Sequence, residues 1–218
     1  LSLQYSQISN AGLGAPAMGA WVYDLGDLNG DDMNEFALSG DTSFSGFCIV
    51  KGHTNIAAEI VLADADTDPN IECVKDTENS WEGFQISPLG DINGDGINDI
   101  GSKVYKNTDG EWNTNYRIYL GDGNGFVEEP PAVNISFTGV DYYTGDVNAA
   151  GNFNGDVAQG GQPLFDIAVG APDINKVFIV PGNAVWKSSA PVTIDLLDAD
   201  DLDAWNVLAI EGTGMAGR

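Results

Sequence analysis

Two ten-residue stretches, GDLNGDDMNE at Gly26 to Glu35 and GDINGDGIND at Gly90 to Asp99, are nearly identical, and GNFNGD at Gly151 to Asp156 begins a third. The motif returns 64 residues on, from Asp27 to Asp91, and again after 61, at Asn152. Recurrence at this period marks a repeat protein, each unit a supersecondary structure that buries its apolar faces against its neighbours. Each loop is followed by a strand-like run (FALSG, DIGSKV, FDIAVGAP), then a second with a glycine turn (GFCIVKG, YRIYLGDGNG, KVFIVPG), then a third (AEIVLAD, AVNISF, VTIDLLD). One more run precedes each loop: MGAWVYDLG, EGFQISPLG and TGDVNAAG. About four short strands per unit, with Gly, Asn and Asp between them, predict an all-β chain. No long apolar pattern of helical period competes. LLDADDLDAW reads as a connection between units, because its counterpart VLADADTDPN contains a proline.

The units run over residues 8–72, 73–136 and 137–204, and 205–218 starts a fourth, since NVLAIEGTGMAG at 206–217 matches QYSQISNAGLGAPAMG at 4–19.

Oxygen side chains at alternate positions of a tight turn can converge on one hard cation. The first loop offers Asp27, Asn29, Asp31 and Glu35 with the Met33 carbonyl, and the second offers Asp91, Asn93, Asp95 and Asp99 with the Ile97 carbonyl. Three carboxylates and five or more oxygens favour Ca2+ over Mg2+. Gly30 and Gly94, at the fourth position, allow the chain to turn with positive φ. A helical calcium hand is excluded, because its twelfth position needs an acid and here holds Leu38 or Ser102. The loop instead closes at its ninth position, inside a hairpin. In the third loop, Asn152, Asn154 and Asp156 keep the opening, but VAQGGQPLF separates them from Asp166, and only two carboxylates remain. That site is expected to be the weakest. The opposing reading of all three is an Asn-Gly or Asp-Gly hairpin turn without metal.

The charge of -25, from 33 acids against 8 Lys and Arg, argues against nucleic acid and anionic membranes as partners. A hydrophobic content of 43% is enough for a core and argues against disorder. No apolar stretch is long enough for membrane insertion. The chain begins at Leu1, so a trimmed product or a fragment is expected. Cys48, in a strand, and Cys73, in a loop, pair if the protein is extracellular and are otherwise two free thiols. NIS at Asn134 is an N-glycosylation sequon.

These loops, with VGAP at Val169 to Pro172 and the glycine turn LGDGNGF at Leu120 to Phe126, resemble the FG-GAP repeats of the integrin alpha-subunit β-propeller and related surface proteins. The GAP element is degraded to LSGD and GSKV in the other units, and the FG element stands as MG, EG and TG without its aromatic. The resemblance implies that each unit is one four-stranded antiparallel blade, with structural calcium between the first two strands. It implies an extracellular or cell-surface module for adhesion, ligand binding or surface assembly. About three blades are too few to close a propeller, which typically has four to eight. The chain is then a piece of a larger propeller, or several copies assemble.

The competing class is an accessory or carbohydrate-binding module of a longer secreted enzyme acting on polysaccharide or lipid. The only histidine, His53, follows a glycine in a turn, and no nucleophile elbow or phosphate loop is present. The chain itself reads as non-enzymatic. Among the tryptophans, Trp21, Trp81 and Trp205 read as core, Trp112 is the candidate for an exposed sugar-stacking ring, and Trp186 is open between the two. The run Asp64, Asp66, Asp68 and Glu72, with its counterpart Asp198, Asp200 and Asp201, reads as a solvated linker. The protein or carbohydrate ligand is not specified by any motif.

Overall fold

The computed structural model describes residues 7–9, 19, 21–40, 45–54, 59–61, 68–75, 80–108, 111–138 and 145–212. The chain is all-β, built as three antiparallel sheets of the same design. Sheet 1 contains β2 (Trp21–Gly26), β3 (Glu35–Ser39), β4 (Gly46–Val50) and β6 (Ile71–Lys75), in that order. Sheet 2 contains β7 (Ser80–Gly90), β8 (Asp99–Thr108), β9 (Glu111–Tyr119) and β10 (Val133–Ser136), to which β14 (Val192–Asp195) adds a fifth, parallel strand. Sheet 3 contains β11 (Val147–Gly151), β12 (Asp166–Ala171), β13 (Lys176–Val180) and β15 (Leu208–Glu211). A separate parallel pair joins β1 (Gln7–Ser9) to β5 (Glu59–Val61). Among the described residues, the sheets do not close into a ring.

The strand periodicity explains the packing. Alternate residues of a strand face opposite sides of its sheet, and the middle sheet has a neighbour on both sides. In β9, Tyr116 and Ile118 join the core shared with sheet 3, whereas Tyr119 joins the core shared with sheet 1. The first core gathers Phe47, Ile49, Val74, Ile86, Ile100 and Tyr119, with the Phe47 and Tyr119 rings edge to face at 5.7 Å. The second gathers Ile118, Val133, Ile135, Ile167, Val169 and Phe178, and Trp186 closes its end. Polar ties reinforce the same contacts. Ser45 Oγ donates to the Ser80 carbonyl and accepts from Glu82 N, and Tyr116 Oη donates to the Gly145 carbonyl. Buried Glu82 accepts from both Arg117 and the Tyr119 hydroxyl.

Several sequence expectations change here. Residues 205–218 do not open a new sheet where they are described: β15 closes sheet 3 beside β13. The boundary drawn at residue 72 falls inside β6. VTIDLLD leaves its own unit to pair with β10 of sheet 2. LLDADDLDAW contains a short helix, α1 (Ala199–Ala204), whose N-cap Asp198 accepts from Asp200 N. Cys73 lies in β6 rather than a loop, directly opposite Cys48 with a Cα separation of 4.0 Å, and the two form a disulfide. Among the described residues, no helix is long and apolar enough to cross a membrane.

Candidate functional site

All three acidic loops occupy one place in the architecture, between the first and second strands of a sheet. Loop 1 joins β2 to β3, loop 2 joins β7 to β8, and loop 3 joins β11 to β12. The opening acid of loops 1 and 2 organises the turn. Asp27 Oδ1 accepts from the backbone N–H of Asn29, Gly30 and Asp31, and Oδ2 accepts from Asp32 N. Asp91 does the same for Gly94, Asp95 and Gly96. Within each loop the third-position amide donates to the fifth-position acid: Asn29 to Asp31 at 3.2 Å, Asn93 to Asp95 at 2.9 Å and Asn154 to Asp156 at 2.8 Å. Asp31 and Asp95 in turn accept from Met33 N and Ile97 N. Gly30 and Gly94 have φ of 76° and 77°, which only glycine adopts without strain.

The acids that close the three loops behave in a way the sequence did not disclose. Glu35, Asp99 and Asp166 are fully buried, and each clamps two separate pieces of backbone. Glu35 accepts from Leu28 N at 2.8 Å and Gly52 N at 3.2 Å, and Asp99 from Ile92 N at 2.8 Å and Gly121 N at 2.9 Å. Asp166 accepts from Phe153 N and Asn154 N on one side and Gly182 N on the other. The second anchor is always the glycine after the third strand, pressed against the residue before the acid. A Cβ there would come within 2.7 Å of the Asn34 carbonyl at Gly52, 2.3 Å of the Asn98 carbonyl at Gly121, and 2.3 Å of the Phe165 carbonyl at Gly182. The insertion before Asp166 leaves this arrangement intact.

Adjacent loops are also joined. Asn98 Nδ2 donates to the Asp27 carbonyl, Phe165 N to the Asp91 carbonyl and Asn183 N to the Ile92 carbonyl. Since Ile92 N donates to Asp99, a continuous path of hydrogen bonds and peptide units runs from Asp166 through Gly182 and Asn183 to Asp99.

The electrostatics reflect crowded negative charge. Burial raises the Glu35 carboxyl above its ordinary value, opposed by its two N–H donors and reinforced by Asp31 and Asp27. Burial likewise pushes Asp99 up to about 8, against the pull of Gly121 N and Ile92 N and with the charges of Asp95 and Asp91 adding to it. Asp27 goes the other way: desolvation is outweighed by its four backbone N–H donors.

Metal ligation was the expected role for these residues. Among the described residues, no group of three or more His, Cys, Asp or Glu side chains is arranged to hold a metal ion. The carboxylates of loops 1 and 2 are turned onto backbone N–H groups. Loop 3 differs, because Asn152 Oδ1 and Asp156 Oδ1 are shielded from solvent and have no hydrogen-bond partner. Buried oxygens without donors are what a bound cation would satisfy, and the donor set of Asn152, Asn154, Asp156 and Asp166 fits a hard cation in type.

Other expectations are redirected. Asn134 lies within β10, half-buried and paired to Arg117 on one side and Thr193 on the other. Trp21 is 38% exposed rather than core, because it starts the outermost strand of sheet 1, whereas Trp186 is buried and packs on the partly buried Trp205. Trp81 pairs with Tyr105 in the hairpin of sheet 2. The side chain of Trp112 lies outside the described residues, as do Asp64 and Asp66. Asp68 caps its own turn at Asn70, Asp201 accepts from Asp195 N, and His53 Nδ1 lies 3.0 Å from the Lys51 carbonyl.

A scan against protein-family models finds no match for the chain, and a search of curated proteins finds no similar sequence.

Proposed function

We propose that the chain is a calcium-stabilised, non-enzymatic module of the FG-GAP type, its three sheets serving as consecutive propeller blades that present loops to a protein or carbohydrate ligand outside the cell. The observation that carries this reading is the threefold repetition of an acidic loop at one position in each sheet, closed each time by a buried acid in the same backbone clamp. In loop 3 the two shielded oxygens, Asn152 Oδ1 and Asp156 Oδ1, supply a specific reason for a cation.

Calcium would neutralise carboxylates that now repel one another, Asp95 and Asp91 against Asp99 and Asp31 and Asp27 against Glu35. The paired carboxylates of loops 1 and 2 are engaged with backbone N–H groups rather than free for acid–base work, which supports display over catalysis. The Cys48–Cys73 disulfide supports an oxidising compartment, hence the extracellular or cell-surface assignment.

Thermal unfolding of cation-stripped protein, alone and with Ca2+ or Mg2+, tests the reading. A ligand that binds only the folded state at 100 times its Kd stabilises by about 2.7 kcal/mol. Calcium should raise the melting temperature by several degrees and magnesium by much less. A melt indifferent to calcium at millimolar concentration would leave the loops as ordinary acidic turns.

A further inference from the structure

The outer face of sheet 3 is apolar, open, and built from positions that are buried wherever two sheets of this chain meet. Counted back from the clamped glycine after the third strand, Phe47 and Ile49 precede Gly52 as Tyr116 and Ile118 precede Gly121 and as Val177 and Ile179 precede Gly182. The first two pairs are the centre of a sheet-on-sheet core. The fourth strands agree. Val74 lies across from Phe47, Ile135 from Tyr116 and Ile210 from Val177, while Val133 lies across from Ile118 and Leu208 from Ile179. Val74, Val133 and Ile135 are buried, whereas on sheet 3 only Ile179 is, and Val177, Leu208 and Ile210 are 40%, 47% and 45% exposed. A groove of about 350 Å³ along the same side, lined by Gly170, Ala171, Val177 and Ile210 among others, continues this surface.

The β1–β5 pair gives an independent indication that the repeat extends past three sheets. In sequence β14 comes between the third and fourth strands of sheet 3, and it pairs in parallel with β10, the fourth strand of the preceding sheet. Likewise β5 comes in sequence between the third and fourth strands of sheet 1, and it pairs in parallel with β1. By the same relation β1 is the fourth strand of a sheet whose other three strands are not among those described.

We propose that the outer face of sheet 3 seats a further sheet of this same repeat, tethered to it as sheets 1 to 3 are tethered to one another. Size decides between a tethered sheet and a second copy. Four strands about 4.8 Å apart, each about five residues long, present roughly 300 Å² per face, so a pair buries about 600 Å², below the roughly 1,000 Å² of a stable free interface. A tether supplies the missing effective concentration. The inference rests on reading the sheets as consecutive units and is independent of calcium.

The test appends residues 80–136, whose sheet already packs Ile86, Ile100 and Tyr119 against a neighbour, after Arg218 and follows hydrogen exchange in calcium-free and calcium-containing buffer. Amides of β13 and β15 should exchange at least tenfold more slowly in the extended chain. Ile210→Asp should cancel that gain, with Leu208→Asp as a second substitution, while leaving the melting temperature of the unextended chain unchanged. Exchange unaffected by the extension would overturn the proposal. So would an unextended chain that dimerises at micromolar concentration and is returned to monomer by Ile210→Asp, since a second copy would then be the occupant. Calcium-independent protection would uphold this inference even if the calcium reading failed.

Discussion

Asp99→Ala in calcium-free protein tests whether the closing acid is a clamp. The carboxylate is the partner of Ile92 N and Gly121 N, and both bonds are buried. Alanine strands the two donors, at about 1–3 kcal/mol each, so the clamp alone is worth about 2–6 kcal/mol. Against this stands the cost of burying a charge. Burial raises the folded-state pKa from 3.8 to about 8. With the folded value above the unfolded one, stability is fully present below about pH 4 and is lost as pH rises toward about 8. At about 1.4 kcal/mol per pH unit the loss accumulates to about 5 kcal/mol. Wild type should therefore lose stability steeply from pH 5 to pH 8, and Asp99→Ala should lack that part of the slope. The assay is urea unfolding of cation-stripped protein at pH 5, 6.5 and 8. The variant should be clearly less stable at pH 5, with the two curves converging by pH 8. Parallel curves, or a variant as stable as wild type at pH 5, would refute the reasoning.

Three further predictions rest on separate contacts. Gly182→Ala places a Cβ within 2.3 Å of the Phe165 carbonyl and 2.6 Å of the Ile92 carbonyl, and calorimetry should show a loss of about 1–3 kcal/mol. Glu82→Ala leaves the Arg117 guanidinium without its carboxylate beside a buried Tyr119, and denaturant unfolding should register a loss of about 3–5 kcal/mol. Cys48→Ser opens a bridge between residues 25 apart, for which chain entropy gives about 3 kcal/mol; reductant should lower the wild-type melting temperature similarly and leave that of the variant unmoved.

The repeat and the all-β class were legible because a glycine-broken acidic loop and the alternating runs after it are local signals. The order of the first three strands in each sheet followed from hairpin connectivity, but the runs expected to come next in the first and third units, AEIVLAD and VTIDLLD, pair outside their own sheets. What was not legible depends on long-range pairing. β14 and β15 are both short apolar runs in sequence, and only the assembled sheets show that one crosses to sheet 2 while the other closes sheet 3. The closing acids were visible as acids, but their work as clamps depends on glycines 17, 22 and 16 residues away in sequence. A glycine after each third strand was in plain view at Gly52, Gly121 and Gly182, and its recurrence was the signal that would have pointed there. Trp21 was misplaced because β-propensity places a residue on a strand without saying whether that strand's face is covered.

The most direct test of the central claim is a calcium titration of cation-stripped protein by calorimetry, repeated on Asp27→Ala, Asp91→Ala and Asp156→Ala. Extracellular sites of this charge bind at roughly 10^-4 to 10^-3 M. The account predicts saturable binding in that range or tighter, with each substitution removing or weakening one site and Asp156→Ala abolishing the one at loop 3. Heat indistinguishable from dilution up to several millimolar calcium would contradict it.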